Sequence, residues 1–366
     1  MNRREIMGAG IAAASAIATS DIARSQPSAN SEITRIAWGS CAHQNKRQPI
    51  WNAIAQTNPD LFLFIGDNIY ADTDNPAIMR EKYEALRQKP EFARFRAAVP
   101  ILAMWDDHDY GLNDGGIEYV MKDESRKQFC DFWDVPADSP RRTRPDGIYT
   151  SEVFGPDGRK VQIILPDLRW NRTPILSTFT DRQSYERWAL TQFRQSKPIP
   201  GPYLRNPDDA ATMIGNSQWE WLENELEKPA DLRIFASSLQ VIADFPGWEA
   251  WINYHRDHQR LIDAIRRHRA NGLICLSGDT HYGEISKLDV NVPYPIWDFT
   301  SSGITEVWPV IPPNSRRIGE AYRDRNFGLI EIDWTNNNVK VSIRGENGAV
   351  KIEQTISLGS LRVPRF

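Results

Sequence analysis

The feature that most constrains this chain is a set of apolar runs of strand length, each ending in Cys, Asp or Ser. Helix-like stretches at 48–56, 217–227 and 255–268 lie between some of them. Strands that alternate with helices predict βαβ units and a largely parallel, buried sheet. Ligands of such sheets bind outside the carboxyl ends of the strands, so we expect the terminal polar residues to share one site. The runs are 36–41, 61–67, 101–107, 161–167, 232–238 and 273–279.

The C-terminal part has a different pattern. Segments 327–333, 338–344 and 349–356 alternate apolar and polar residues, and Asn347-Gly348 favours a tight hairpin turn. This pattern predicts an antiparallel meander, which we expect to extend a second sheet. We find no internal repeat or long linker, so residues 26–366 are predicted to form a single catalytic domain.

The first residues have the features of an export signal. Arg3 and Arg4 precede an Ala/Gly/Ile-rich stretch at 8–18, which is too short to span a bilayer as a mature helix. The segment resembles a twin-arginine signal, the alternative being a frayed basic N-terminus. We therefore expect residues 1–25 to be a signal peptide that engages the twin-arginine export machinery, and a mature chain that starts near Gln26. The expected location is the periplasm or the medium, without stable membrane insertion.

Composition narrows the choice of function. The formal net charge of −4 lacks the basic footprint of a nucleic-acid-binding protein. The odd count of 3 cysteines does not indicate a disulfide framework, and Cys275 is expected in the core. Most of the 13 tryptophans are also expected in the core, although Trp38, Trp105 and Trp170 adjoin the motifs and could instead line a pocket.

The strand ends carry four clusters of potential ligands. A single Gly-Asp at a strand end is as well explained by a turn, because both residues are common turn formers. Clusters at several strand ends favour a metal site, since carboxylate and phenolate are hard anionic ligands. The clusters supply Cys41 and His43; Asp67 and Tyr70; Asp106, Asp107, His108, Asp109, Asn113 and Asp114; and Asp279 and His281.

Together these motifs resemble a known family. Gly-Asp-x-x-Tyr-Ala-Asp at 66–72 resembles the calcineurin-like metallophosphoesterases and purple acid phosphatases. With Gly-Ser-Cys at 39–41, Asp-Asp-His-Asp at 106–109 and Gly-Asp-Thr-His at 278–281, the set looks more specifically like the alkaline phosphatase D (PhoD-like) family. The resemblance implies an α/β fold, a metallophosphoesterase-type α/β/β/α sandwich of two mixed sheets flanked by helices. It also implies Fe(3+) and Ca(2+) as cofactors, with Mn, Mg, Zn or Co as substitutes.

The resemblance also implies roles for individual residues. Asp67 would bridge the metals, while Tyr70 and Cys41 would bind ferric iron. The remaining expected metal ligands are Asp107, Asp279 and His281. His108 and Arg169 are the expected catalytic residues, the first protonating the leaving alkoxide and the second binding phosphate. The alternative for Arg169 is a structural salt bridge.

Several polar residues lie in or near these motifs without being assigned as metal ligands or catalytic residues. His43 is expected beside the ligands rather than as one of them, and Asp109 is expected to orient His108. Asp72 and Asp74 are expected to be solvated loop residues. Residues that could belong to the metal or substrate shell are His43, Asp106, Asn113 and Asp167.

The predicted function is an exported phosphoesterase that hydrolyses small phosphodiesters or phosphomonoesters by in-line attack of a metal-bound hydroxide. Diesters are slightly favoured because no extra set of basic residues is evident for a dianionic monoester. The family implies a preference for alkaline pH. Two alternatives remain: a non-catalytic periplasmic protein that binds metal or phosphate, and a hydrolase of another ester on the same scaffold.

Overall fold

The computed structural model describes residues 26–244 and 247–364. The predicted signal peptide, residues 1–25, lies outside the described residues. In the two described ranges, no helix has both the length and the apolar composition that crossing a membrane requires.

Twelve strands and nine α-helices occur in the described part of the chain. The strands are β1 Arg35–Gly39, β2 Leu61–Ile65, β3 Ile101–Met104, β4 Thr150–Phe154, β5 Val161–Leu165, β6 Leu232–Ala236, β7 Leu273–Ser277, β8 Gly283–Leu288, β9 Ile296–Ser301, β10 Asn326–Asp333, β11 Asn338–Gly345 and β12 Val350–Ser357. The helices are α1 Ile50–Gln56, α2 Pro76–Arg87, α3 Pro90–Ala98, α4 Asp107–Tyr110, α5 Lys122–Phe132, α6 Pro140–Thr143, α7 Arg182–Arg194, α8 Asn216–Glu227 and α9 His255–Arg267.

The strands form two mixed sheets of six strands each. The first has the order β12-β11-β10-β1-β2-β3, in which β1, β2 and β3 are parallel. The second has the order β4-β5-β6-β7-β9-β8, in which β5, β6, β7 and β9 are parallel and the two edge strands antiparallel. The predicted α/β class with two mixed sheets is confirmed, and the six apolar runs are divided three and three between the sheets.

The C-terminal meander is antiparallel, as predicted. Its expected place is wrong, however, because β10 pairs with β1 and so continues the first sheet. Ala37 lies opposite Leu329 in this antiparallel register. A pairing between residues so distant in sequence leaves no local signal in either strand.

Helices cover the sheets through aromatic and aliphatic side chains. On the first sheet, Trp51 of α1 packs against Phe62 and Phe64 of β2, with ring centroids 5.4 and 5.6 Å apart. On the second, Trp219 of α8 contacts Trp251, which also packs on Phe235 of β6. One hydrophobic cluster includes buried residues of both sheets. Cys275, predicted in the core, is buried in it, and so are Trp38, Trp105 and Trp170, for which a pocket lining was the alternative.

Two glycines let the strand ends approach one another closely. A Cβ on Gly278 would lie 2.6 Å from Ser40 Oγ and 3.1 Å from Ile65 O, atoms that follow or end β1 and β2. A Cβ on Gly66, whose φ is +107°, would lie 2.7 Å from the Asp106 Cβ after β3. The carboxyl ends of strands from both sheets therefore meet at one place, as the pattern of polar strand ends predicted.

Candidate metal centre

Four of the predicted ligands occupy an unusual backbone conformation. Cys41, Asp67, Asp279 and His281 have φ values of +63°, +48°, +64° and +61°. The left-handed region is uncommon for residues other than glycine, and such strain concentrates at functional sites. Each of these residues turns the chain sharply just after a strand, so its side chain points into the region where the strands end.

The first donor cluster combines sulfur, oxygen and nitrogen ligands. One ligand atom each from Cys41, Asp67 and His281 lie within 4.8 Å of one another. The Cys41 Sγ lies 3.4 Å from Asp67 Oδ2. Tyr70 joins the cluster, because its hydroxyl oxygen lies 3.1 Å from His281 Nε2. The structure thus brings the expected iron ligands Cys41 and Tyr70 together with the expected bridging residue Asp67 and with His281, which was expected to bind a metal but was not assigned to iron.

The pKa shifts in this cluster determine which protons a bound cation would have to displace. Burial raises the pKa of the Cys41 thiol, and the negative charges of Asp67 and Asp279 raise it further. Burial likewise raises the pKa of the Tyr70 phenol. Burial lowers the pKa of His281 to about 4, so its imidazole is neutral and has a lone pair to offer. A metal ion would displace the thiol and phenol protons on binding.

The second donor region consists mainly of carboxylates and overlaps the first at Asp67. Asp67, Asp107 and His108 form one cluster, and Asp106, Asp107 and Asp279 form another. Within residues 26–244 and 247–364, three buried carboxylate oxygens of this region have no hydrogen-bond partner: Asp67 Oδ1, Asp106 Oδ2 and Asp107 Oδ1. Unpaired buried carboxylate oxygens are costly, and a hard cation would satisfy them.

Negative charge exceeds positive charge around the centre. Only two guanidinium groups, those of Arg169 and Arg172, are buried among these carboxylates in the part of the chain that the structure describes. The carboxylates are fully buried Asp67, Asp106, Asp107, Asp109 and Glu249, with half-buried Asp114 and Asp279. Burial raises the pKa of Asp67, the opposite charge of His108 lowers it, and the like charges of the neighbouring aspartates raise it further. Bound cations would relieve this repulsion, so the residues fit a centre of more than one metal.

His108 is placed at the mouth of the centre by helix α4. Its Nδ1 lies 2.8 Å from both carboxylate oxygens of Asp72. Burial alone would lower the pKa of His108, but the charges of Asp107 and Asp67 and the bond to Asp72 raise it to about 11. The expectation that Asp109 orients His108 is wrong: its oxygens accept from the backbone N–H groups of Asp106 and Asn68. Asp72, expected to be merely solvated, is the partner.

Arg169 lies behind the carboxylates. Its Nε donates to Asp106 Oδ1 over 2.5 Å, and its terminal nitrogen Nη1 lies 2.8 Å from Glu249 Oε2. Its other terminal nitrogen lies 3.7 Å from Asp107 Oδ1. The side chain is 0% exposed. This burial disagrees with the expectation that Arg169 binds phosphate and agrees with the alternative, a structural salt bridge.

The remaining predicted shell residues lie around the centre rather than in it. The His43 ring stacks on Tyr70 with centroids 5.0 Å apart, and its Nδ1 accepts from the Asn45 N–H. Exposed Asn113 donates to Asp114 Oδ2 over 2.6 Å. Asp167 accepts three backbone N–H bonds, from Ile148, Arg169 and Trp170, and so orders the loop after β5.

Two further residues near the centre, Glu249 and Arg172, were missed in the sequence analysis. Glu249 lies between the guanidinium groups of Arg169 and Arg172, whose nearest nitrogens are 2.8 and 2.9 Å away. It also forms a potential donor cluster with Asp107 and Asp114. Neither Glu249 nor Arg172 ends an apolar run, so the strand-end pattern did not identify them. The only signal near them in the sequence is a tryptophan, Trp248 for Glu249 and Trp170 for Arg172.

Comparison with known proteins places the chain in a family. A family model described as PhoD-like phosphatase matches residues 36–354. Alkaline phosphatase D of Bacillus subtilis (strain 168) is 22% identical over 301 residues, covering 72% of this chain and 48% of the relative. The chain therefore spans about half the length of this curated relative.

Solved structures share the fold. The structure of PhoD aligns with a TM-score of 0.67 and 16% identity over 90% of this chain and 69% of that chain. Purple acid phosphatase PPD1 from yellow lupin (Lupinus luteus) seeds aligns with a TM-score of 0.57 and 15% identity, over 90% of this chain and 54% of that chain. The metallophosphoesterase-type sandwich is confirmed. Since the family model matches most of the sequence, the chain belongs to the PhoD-like phosphatase family.

Proposed function

We propose that this chain is a metal-dependent phosphoesterase that hydrolyses phosphodiesters, phosphomonoesters or both. The observation that carries the proposal is the pair of donor regions that share Asp67 and contain three buried carboxylate oxygens to which no described residue donates a hydrogen bond. Such a pair suits two cations close enough to hold one phosphate between them. Family membership supports the same class of substrate.

We propose Fe(3+) for the cluster of Cys41, Asp67, Tyr70 and His281. Thiolate and phenolate are strongly donating anionic ligands, and neutral His281 completes a mixed set. We propose Ca(2+) for the carboxylate-rich region of Asp67, Asp107 and Asp279, since hard cations prefer oxygen ligands. Mn, Mg, Zn or Co are the substitutes to test. When bound, the metals would supply Lewis acidity toward the phosphate oxygens and acidify a water molecule.

Side chains of the protein would supply the proton for the leaving group and hold the carboxylates of the centre in position. We propose that His108, held by Asp72, donates a proton to the leaving oxygen of the ester. Arg169 is proposed as a positioning residue, because its contacts hold Asp106 and Asp107 in place while its guanidinium is closed to solvent. A phosphodiester suits this site slightly better than a monoester, since the buried guanidinium groups of Arg169 and Arg172 are already paired with carboxylates and leave less positive charge for a dianionic phosphate.

The test is turnover of the metal-loaded protein on p-nitrophenyl phosphate and bis(p-nitrophenyl) phosphate. Hydrolysis of at least one, lost in Asp67→Asn, supports the proposal. No turnover of either by protein with a full metal complement would contradict it and favour a metal- or phosphate-binding role. Turnover of a sulfate or carboxylic ester alone would favour the third alternative.

Export and an alkaline optimum belong to the proposal as well. The paired Arg3 and Arg4 before an apolar stretch support twin-arginine export to the periplasm or the medium. Replacing both arginines by lysine should retain the precursor in the cytoplasm, and unchanged export would contradict this route. A pH–rate profile of the exported protein tests the alkaline preference separately.

A further inference from the structure

Three half-buried aromatic side chains form a continuous surface, here called the aromatic wall: Tyr203, Trp248 and Trp308. The rings of Tyr203 and Trp248 lie 6.2 Å apart at 89°, and those of Trp248 and Trp308 lie 5.7 Å apart at 78°. Both are edge-to-face arrangements, which hold aromatic rings in fixed orientations. None of these residues belongs to the apolar runs or to the motifs that suggested the metal centre.

The wall adjoins the metal centre at each of its three members. The backbone N–H of Trp308 donates to the backbone carbonyl oxygen of His281 over 3.0 Å. The Tyr203 hydroxyl donates to Asp114 Oδ2, and the Asp114 N–H donates to Asp107 Oδ2 over 2.7 Å. Trp248 directly precedes Glu249 in sequence. Each aromatic residue is thus one hydrogen bond or one peptide bond away from a residue of the centre or its border: His281 for Trp308, Asp114 for Tyr203 and Glu249 for Trp248.

The topology explains why these three residues meet there. Tyr203 lies in the connection after β5, Trp248 in the connection after β6, and Trp308 in the connection after β9. All three strands are parallel members of the second sheet, so their carboxyl ends lie at the same edge as the metal centre. The buried Tyr185 of α7 supports the wall from behind, with its ring 5.4 Å from that of Trp248.

We propose that the aromatic wall binds a flat, aromatic organic group of the phosphate ester while the phosphate is held at the metal centre. The occupant is a substrate group rather than a protein partner because the wall is only three rings long and continuous with the centre. A flat π-surface gains from stacking and edge contacts that a small alkyl group does not provide. The proposal rests on the proposed phosphoesterase function and names its substrate class.

Two non-hydrolysable phosphonates test the wall without relying on turnover. Phenylphosphonate and methylphosphonate present similar headgroups and differ in the organic group alone. In calorimetric titrations of the metal-loaded protein, we expect phenylphosphonate to bind about tenfold more tightly, the scale expected for one aromatic contact. In Trp308→Ala this preference should fall to about twofold or less.

Matched variants separate loss of the wall from loss of the fold. Trp308→Leu keeps apolar volume but removes the flat face, so it should also lose the preference. Trp221→Ala removes a half-buried tryptophan of α8 that packs on Tyr149, with ring centroids 4.6 Å apart, and should keep it. Circular dichroism confirms that each variant is folded before titration; Trp248→Ala replaces Trp308→Ala if the latter is not.

The outcomes for the wall and for the catalytic function are distinguishable. Equal affinities for the two phosphonates in the unaltered protein would overturn the proposal, as would a preference that survives in Trp308→Ala and Trp248→Ala. If the protein hydrolyses no phosphate ester yet keeps a preference that depends on Trp308, the catalytic function fails and the binding surface stands. If it hydrolyses esters without any such preference, only the aromatic wall is refuted.

Discussion

The Sγ atom of Cys41 and the Oδ2 atom of Asp67 lie 3.4 Å apart, although each residue holds a left-handed backbone conformation to reach that position. The two residues follow neighbouring parallel strands, β1 and β2, and the Ala42 N–H donates to the Asp67 carbonyl oxygen over 2.9 Å. Two acidic groups with pKa values raised by burial face each other here. A cation bound by both groups would stabilise their negatively charged forms at this short distance.

Replacing Tyr70 tests the iron cluster spectroscopically. If the phenol binds ferric iron as phenolate, the purified protein has a visible charge-transfer band that shifts or disappears in Tyr70→Phe. Tyr83→Phe is the control, because Tyr83 is also buried but stacks on Phe132. An absorption spectrum that is the same in Tyr70→Phe and in the unaltered protein would reject Tyr70 as a ligand.

His108 is tested through the leaving group. A general acid contributes about 100-fold or more when the leaving oxygen is basic, and less when the leaving group is as stable as p-nitrophenolate. His108→Ala should therefore lower kcat more for an alkyl ester than for the p-nitrophenyl ester, and Asp72→Asn should cause a smaller loss with the same bias. Asp74→Asn, in the same loop, is the control. Equal losses on both leaving groups would argue against proton donation by His108.

The Glu249 carboxylate should contribute strongly to stability. It lies 2.8 Å from Arg169 and 2.9 Å from Arg172, and both guanidinium groups are 0% exposed. Arg169 also contacts Asp106 and Asp107, whereas Glu249 is the ion-pair partner of Arg172, so Glu249→Gln would leave the buried Arg172 undercompensated, which costs about 3 kcal/mol or more in the free energy of unfolding. Denaturant unfolding of chelated protein measures this without a contribution from metal, with exposed Glu320→Gln as control. A change below about 1 kcal/mol would show that the ion pairs are not essential.

His258, which lies outside the metal centre, should make the free energy of unfolding depend on pH. Burial and the charges of Arg316 and Arg205 lower its pKa from 6.5 to about 4. The unfolded chain binds the proton first as pH falls, so the contribution of His258 is complete above pH 6.5 and is lost as pH falls toward 4. The difference over this window is about 3 kcal/mol. Unfolding curves of the unaltered protein and of His258→Phe check this.

The test compares how much unfolding free energy each of the two proteins loses between neutral and acidic pH. Between pH 7 and pH 4.5, the unaltered protein should lose more unfolding free energy than His258→Phe does. Parallel losses in the two proteins would mean that His258 does not carry this dependence.

Local sequence patterns predicted the strands and the polar residues at strand ends that are the candidate metal ligands. Asp67, Asp107 and Asp279 could be found because each directly follows an apolar run, and parallel strands bring their ends together. Long-range features could not be found in this way. The pairing of β10 with β1, and the place of Glu249 between two arginines, depend on how distant segments pack.

The sequence also did not reveal which polar side chains near the strand ends are buried and which contact one another. Arg169 follows a strand end as the ligands do, but its guanidinium turns inward to Asp106 and Glu249. Asp72 looked like any loop aspartate, yet a tight turn with φ of +44° brings it to His108. Motif and spacing indicate which residues reach the edge of the sheet, whereas packing decides which of them face the substrate.

The most direct test of the account is elemental analysis of the purified protein and of Asp67→Asn, with bis(p-nitrophenyl) phosphate turnover measured on the same samples. The account predicts about two or more metal ions per chain, iron and calcium among them, and their partial loss together with turnover in Asp67→Asn. A metal-free protein that hydrolyses the diester, or an Asp67→Asn variant with full metal content and full activity, would contradict it.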